Sequence, residues 1–495
     1  MCLTACQGRR TTGSEAVCDS DSVALPTLAD LTLPDTMLPS AAEAVTFVVE
    51  LEDSDQHPLS DYDDPYADSD AVRAFRKNLL RNADFGGRVE GTPDTLVVSW
   101  TFMTDNGDGK TDLGQWGGGS GWTGQPLFSM GLKDEIIVGS LCGKIYFIDF
   151  ETGEQSREPL DAGNTVKGSP SLDPYFVNNL YVGQGVSNHN AFGCEVFDLN
   201  QHKRTWFFGR DPKAWRSWGA YDSSPVVAGG YLFWAGENGS IYKYQRDHGT
   251  LRRVAALRYR VGGAAPGIES SLCIWRNYGF VGDNHGNILA VNLNTMRPVW
   301  RYDNHDDTDG TVVGTVEDDG QAYLYTACEV DRQGMHGLCH FVKLRAEDGQ
   351  RIWEQTFPCD RMDFGDKILD GGMYCTPLIG TADCHGLIFA NICRNRAAKT
   401  PGELVALDTS DGHIAYTLPL HGWAWSSPIS FQNEKGEMFI FDCDAAGYIY
   451  LIRGRDGHVI CSQHLNALFE SSPIAVGNAA VVGSRGNGIY KFTIQ

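Results

Sequence analysis

The chain has 495 residues with 57 glycines, 42% hydrophobic and 11% aromatic residues, and a formal charge of −23. That surplus argues against a nucleic-acid partner, whose phosphates would be repelled, and against electrostatic docking on anionic lipid. No apolar run approaches the roughly 18 residues a membrane-spanning helix needs, and the glycine and aromatic content favours turn-rich β structure.

Leu3-Thr4-Ala5-Cys6 resembles the lipobox that bacterial lipoprotein signal peptidase cleaves before the cysteine. The basic and apolar segments that normally precede it are missing, so the expectation is a shortened lipoprotein with Cys6 as its lipidation site. Such a protein would sit in the bacterial cell envelope, facing the periplasm or the surface, with a lipid anchor as its one membrane contact. Residues 7 to about 70 lack periodicity and turn acidic from Glu50, so residues 1–70 are expected to form a loose tether, with Val45 to Val49 adding at most a short strand. Ala71 to Arg81 (AVRAFRKNLLR) predicts one or two helical turns at the start of a globular region spanning 71–495.

From Leu96 the pattern is strands and turns. Strand-opening prolines or their stand-ins fall at 126, 170, 225, 272, 314, 377, 428 and 473, at intervals of 42 to 63 residues. The Tyr221 to Gly249 unit is the clearest: Ser-Ser-Pro and a first strand, a Gly-Gly turn, an aromatic second strand, a Glu-Asn-Gly turn and an alternating third strand. Periods of this length with four strands each mark propeller blades. The eighth unit ends at Gln495 without an outer strand, and Leu96 to Phe102 (LVVSWTF) supplies one. The fold class is therefore all-β: an eight-bladed β-propeller of four-stranded antiparallel blades, its ring closed by an N-terminal strand, which removes exposed sheet edges.

Ile136 to Gly153 (IIVGSLCGKIYFIDFETG), the Asp222 unit and Phe75-Arg76-Lys77-Asn78 resemble the PQQ-like propeller repeat family. The resemblance implies the fold of quinoprotein dehydrogenases and of BamB-like outer-membrane assembly lipoproteins. The adjacent cysteines that the quinoprotein enzymes carry beside their cofactor are missing, as is a CxxCH haem motif. The resemblance thus implies a non-catalytic scaffold that binds an envelope protein or glycan and needs no cofactor. The alternative is an oxidoreductase dependent on PQQ and calcium, with Asp222 or Glu269 as base.

The longest loops lie on the face leading into the inner strands, where a rigid scaffold concentrates function. Residues three before each strand opening should ring the channel mouth: Thr123, Lys167, Asp222, Glu269, Thr311, Tyr374, Trp425 and Glu470. Trp215 and Trp218 join Trp425 as a candidate aromatic platform for a flat cofactor, a sugar ring or a peptide side chain, with packing between blades as the plainer role. Asn106, Asp108 and Asp112 match part of a calcium loop that lacks its first aspartate and its closing glutamate. The run from Asp303 to Asp309 has oxygen ligands in excess without the spacing, and His189 reads as a loop histidine. Among fourteen cysteines, Cys328 with Cys339 and Cys375 with Cys393 are expected to form cross-strand disulfides.

Overall fold

The computed structural model describes residues 26–495 except 68, 108, 109, 112, 113, 132, 188–190, 365 and 366. Cys6, Asp108, Asp112 and His189 therefore lie outside the described residues. Met1–Thr32 and Leu33–Gln495 form separate compact units. In the first, a single helical turn, Leu28–Leu31, is capped reciprocally by Thr27 and Asp30.

The second unit is an eight-bladed propeller. Inner strands begin at Leu127, Ser171, Val226, Cys273, Val313, Leu378, Ile429 and Ile474, and each is followed by its second, third and outer strands in antiparallel order. In blade 8 the outer strand is Leu96–Met103, paired with Gly488–Ile494, so the two ends of the chain close the ring. Second and third strands are buried on both faces because blades stack face to face, as Tyr231–Gly236 in blade 3 and Asn287–Asn292 in blade 4 illustrate.

A repeated contact fixes the angle between neighbours. The Trp100 ring of blade 8 lies over Gly153 of blade 1, Trp300 of blade 4 over Gly349 of blade 5, and Trp353 of blade 5 over Gly412 of blade 6. Each indole N–H donates to a carbonyl of the next blade: Phe150 at 2.9 Å, Ala346 at 3.0 Å and Thr409 at 2.9 Å. These glycines have φ between +71° and +78°, and a Cβ would sit 2.5–2.6 Å from the ring. Glycine is required on both counts.

Two segments depart from the sequence expectation. Ala71 to Arg81 is not helical; it runs along the free edges of the inner strands. Val72 exchanges hydrogen bonds with Phe128 of blade 1, Leu172 N–H donates to Arg73, Ile274 N–H to Leu79, and Gly314 N–H to Leu80. Gly87–Arg88 then pairs in parallel with Phe431 and Gln432 of blade 7. The backbone is thus committed to several blades and cannot close an i to i−4 ladder. Arg76 and Arg81 are fully buried without a carboxylate partner among the described residues. Arg76 donates to Pro428 O at 2.9 Å and Pro377 O at 3.2 Å, and Arg81 to Leu272 O at 2.9 Å and Phe75 O at 2.7 Å.

The compact unit also begins at Leu33 rather than at residue 71. Val45–Leu51 pairs with Ala255–Val261 as a fifth strand of blade 3. Its acidic continuation is complementary to that basic edge: Glu50 pairs with Arg258 at 2.7 Å, Glu52 with Arg253, and Asp53 with Arg252 at 3.2 Å. Leu59 and Tyr66 are buried beneath the blade.

The expected disulfides are not formed; the cysteines are buried free thiols. Cys328 N–H donates to His340 O and Cys339 lies opposite Phe357, and the two side chains meet as hydrogen-bonded thiols. Asn391 N–H donates to Cys375 Sγ, while Cys393 lies opposite Gly372.

Arg76→Ala strands two buried carbonyls at about 1–3 kcal/mol each. It should lower the unfolding free energy by about 2–6 kcal/mol in urea titration, whereas Arg88→Ala, at the exposed end of the same segment, should change it by less than about 1 kcal/mol.

Candidate functional site

With one end of the channel lined by residues 72–88, the other end carries the chemistry. Lys167, in the loop leading into blade 2, donates to the Asp222 carboxylate and to Glu269 Oε2 at 2.9 Å, and lies 5.3 Å over the Trp122 ring. Asp222 precedes Ser223-Ser224-Pro225 of blade 3, and Glu269 precedes the inner strand of blade 4, so three successive blades contribute one residue each. Glu237, in the turn between the second and third strands of blade 3, completes a group in which Asp222, Glu237 and Glu269 present oxygens within 4.8 Å of one another.

Burial disfavours each charge, and the partners decide the outcome. For Lys167, burial is outweighed by Asp222, Glu269 and Glu237, which raise the ammonium well above its ordinary value. Burial raises Asp222, Lys167 pulling the other way, whereas Lys167 holds Glu269 below its ordinary value in spite of burial. Asp222 and Glu269 also share a hydrogen bond, so the proton of the pair belongs to Asp222. Glu237 is raised well above its ordinary range by burial and by both neighbouring carboxylates.

A second acidic group adjoins the first. Asp307 and Asp309 stand on the loop after blade 4, and Glu329 on a short extension of blade 5 that pairs with Gly372. Glu329 N–H donates to Asp307 O at 2.7 Å, which fixes the extension against the loop. Asp306 anchors the same loop by accepting from the backbone N–H groups of Asp331, Arg332 and Gln333 at 2.8–3.1 Å. Asp307, Asp309 and Glu329 present oxygens within 4.8 Å of one another. The Asp307 and Asp309 carboxyls hydrogen-bond each other and Glu329 hydrogen-bonds the Tyr374 hydroxyl, which still leaves Asp307 Oδ1, Asp309 Oδ1 and Glu329 Oε1 buried without a donor among the described residues. Burial first and then neighbouring carboxylates push all three well above their usual range: Glu269 for Asp307, Asp307 and Glu269 for Asp309, and Asp309 and Asp307 for Glu329. Orphaned acceptors converging in this way are rare in folded proteins and suit a hard cation with oxygen ligands.

Aromatic rings form the wall beside this group. Tyr374 and Trp425 stack at 4.6 Å between centroids, Trp122 meets Tyr374 edge-on, and Trp122 Nε1 donates to Tyr374 O at 3.0 Å. The Tyr374 hydroxyl donates to Asp370 Oδ2 at 3.3 Å, and Asp370 is also bound by Arg361.

Of the residues singled out from sequence, the structure brings together Lys167, Asp222, Glu269, Tyr374 and Trp425. Glu470 is tied to Arg485 at 2.9 Å, and Arg485 covers the Trp116 ring. Trp215 and Trp218 do not join the stack. Trp215 lies under Arg260 at the outer edge of blade 3, beside the added strand, and the ring partner of Trp218 is Phe192. Asn106 accepts from Asn487. Sequence reasoning missed Glu237, read as a turn residue, and Glu329, which lies 20 positions beyond Asp309 in the chain. The acidic run at Asp303–Asp309 was the available signal, and its third oxygen donor comes from another blade.

A cavity of about 790 Å³ opens at the opposite end, between blades 5, 6 and 7, lined in part by Asp84, Arg88, Asp318, Thr381 and His385. It has none of the orphaned carboxylates and no aromatic wall. No helix among the described residues is long and apolar enough to cross a membrane.

Residues 194–370 match the family profile described as outer membrane protein assembly factor BamB. No curated protein sequence matches the chain. Among solved structures, a europium-containing methanol dehydrogenase superposes with a TM-score of 0.58 at 13% identity, covering 86% of this chain and 99% of that one. The quinohemoprotein alcohol dehydrogenase from Comamonas testosteroni gives 0.60 at 13% identity, with 86% and 81% covered. BamB from Moraxella catarrhalis gives 0.50 at 12% identity, with 81% and 100% covered. At these identities the likeness is one of fold.

Lys167→Met leaves Asp222, Glu237 and Glu269 without their ammonium partner, a loss of about 3–5 kcal/mol at neutral pH. In the wild type, the raised Lys167 stabilises fully below about pH 10, and the depressed Glu269 contributes above its ordinary carboxylate range and is lost in acid. In the variant the unpartnered carboxylates have raised values, so acid relieves them. The stability gap between the two proteins, read by urea unfolding, should therefore narrow from about pH 7.5 to about pH 5.

Proposed function

We propose that this chain, an eight-bladed propeller of the PQQ-like repeat type, is a non-catalytic envelope scaffold whose channel mouth binds an oxygen-rich partner through a hard divalent cation. The partner is a glycan or an acidic segment of an envelope protein. The observation that carries this reading is the set of three buried, unpartnered oxygens of Asp307, Asp309 and Glu329 beside the Tyr374–Trp425 stack. A calcium-class ion would take these carboxylates as ligands and keep open positions for hydroxyl or carboxylate oxygens of the partner. The aromatic wall would then cover the partner's apolar face. The lipobox-like Leu3 to Cys6 supports an envelope location with a lipid anchor.

The second reading is an oxidoreductase dependent on PQQ and calcium, supported by the fold shared with two dehydrogenases. The carboxylates at the mouth suit a cation, and the charge balance there, in which Arg216 and Lys167 already face Glu237 and Glu269, favours the scaffold reading over the quinone. PQQ carries three carboxylates, whereas the mouth has a carboxylate surplus, and its one lysine is engaged by Asp222 and Glu269. Under the scaffold reading the cation serves binding alone.

A metal titration tests the cation site, and PQQ uptake separates the two readings. Terbium added to the metal-free protein should give luminescence sensitised by Trp122 and Trp425, displaced by calcium and lost in Asp309→Asn/Glu329→Gln. Absence of this signal, with the variant behaving as wild type, sinks the cation site. Stoichiometric PQQ uptake in the presence of calcium, followed by absorbance, would overturn the scaffold reading in favour of the enzyme.

A further inference from the structure

The loop that delivers Asp307 and Asp309 to the mouth carries His305 on its other side. His340 stands on the third strand of blade 5, and Glu354 on the outer strand. Because His340 lies opposite Thr356, two residues from Glu354, both side chains project from the same face of the sheet. His340 Nδ1 lies 2.6 Å from Glu354 Oε1, and His305 Nε2 lies 4.0 Å from the same oxygen. The two imidazole centroids are 4.1 Å apart. All three ligand atoms fall within 4.8 Å of one another.

Two nitrogens and one carboxylate oxygen converging from three chain segments are the ligand set of zinc sites that keep a fourth, open position. Bonds of about 2.0–2.1 Å in a tetrahedron set ligand atoms about 3.3 Å apart, and the observed 2.6 and 4.0 Å bracket that spacing. His305 is the exposed member on a loop, so its ring can close the difference, whereas His340 and Glu354 are held by the sheet. The second oxygen of Glu354 accepts from Arg351, which orients the carboxylate. His305 adopts φ +72°, an uncommon conformation for a side-chain-bearing residue, and its N–H is fixed by Asp303 Oδ1 at 3.1 Å.

We propose that His305, His340 and Glu354 bind a zinc-class divalent ion, with water in the fourth position, and that the ion pins the loop after blade 4 to blade 5. The site is distinct from the all-oxygen group at the mouth and prefers a softer metal.

The test is cobalt titration of the metal-free full-length chain. One equivalent should give the intense visible absorption of tetrahedral cobalt, displaced by zinc. His305→Ala and His340→Ala should each weaken the binding by more than about tenfold, and Arg351→Ala, which only orients Glu354, by about tenfold. Asp309→Asn/Glu329→Gln should leave the band intact, as should Asp411→Ala/His413→Ala at an exposed surface cluster. Circular dichroism checks that each variant is folded. A band that survives in folded His305→Ala and His340→Ala, or one lost with His413, assigns the metal to adventitious surface histidines and overturns the proposal. A titration that yields only the weak absorption of octahedral cobalt overturns it too.

Discussion

The backbone groups along the inner edge of each blade must be satisfied without water, and in this propeller residues 72–89 do much of that work. A four-stranded blade leaves one row of N–H and C=O groups facing the channel, and a buried, unpaired backbone group costs about as much as a lost hydrogen bond. The leading segment bonds in turn to blades 1, 2, 4, 5 and 7, and Arg76 and Arg81 place guanidinium donors on carbonyls of blades 4, 6 and 7. Guanidinium suits this role because its fork of donors serves several acceptors and tolerates burial better than an ammonium. Burial still tells on the charge, pulling Arg76 down to about 9.

The electrostatics of the mouth depend on that lining. A channel filled from one side removes solvent from beneath the carboxylates, so their mutual repulsion acts in a low dielectric. Asp307, Asp309 and Glu329 then have two ways to be neutral: to take up protons, or to share a cation. The first makes one carboxyl a donor to its neighbour, as between Asp307 and Asp309, and still leaves one buried oxygen on each of the three residues without a donor. The second satisfies them together. The first acidic group solves the same problem internally, with Lys167 as its cation, which is why Glu269 is held below its ordinary range there while burial raises Asp222 and Glu237.

What the sequence revealed follows from how local each signal is. Blade number, strand order and ring closure by Leu96–Met103 rest on alternation, turn glycines and the recurring aromatic residue of the outer strands, all read within a few residues. The Trp100, Trp300 and Trp353 contacts explain why a glycine recurs in the turn of the next blade. Lys167, Asp222, Glu269, Tyr374 and Trp425 were legible as the residues three before a strand opening. The helix expected at Ala71 to Arg81 failed because tertiary hydrogen bonds to several blades overrode a favourable helical composition. The acidic stretch from Glu50 was read as a loose tether because its complement, the arginines of Thr250–Val261, lies about 200 residues away in the chain. Glu329 was invisible for the same reason, and of the cysteine pairs spacing read Cys328 and Cys339 as neighbours, which they are, as free thiols.

The loop from Asp303 to Asp309 concentrates these relations. The loop divides its side chains: Asp307 and Asp309 group with Glu329, and His305 groups with His340 and Glu354. Asp306, buried between them and bonded to three successive backbone N–H groups, holds the loop in that posture. Carboxylates alone favour a hard ion with several oxygen ligands, whereas imidazoles with one carboxylate favour a borderline ion in a smaller shell. Ligand chemistry thus separates two sites that a single seven-residue stretch supplies. Because Asp306 links that stretch to Asp331, Arg332 and Gln333, displacement of the loop on its outer side must also move the extension that carries Glu329. The outer histidines and the channel mouth are mechanically one element.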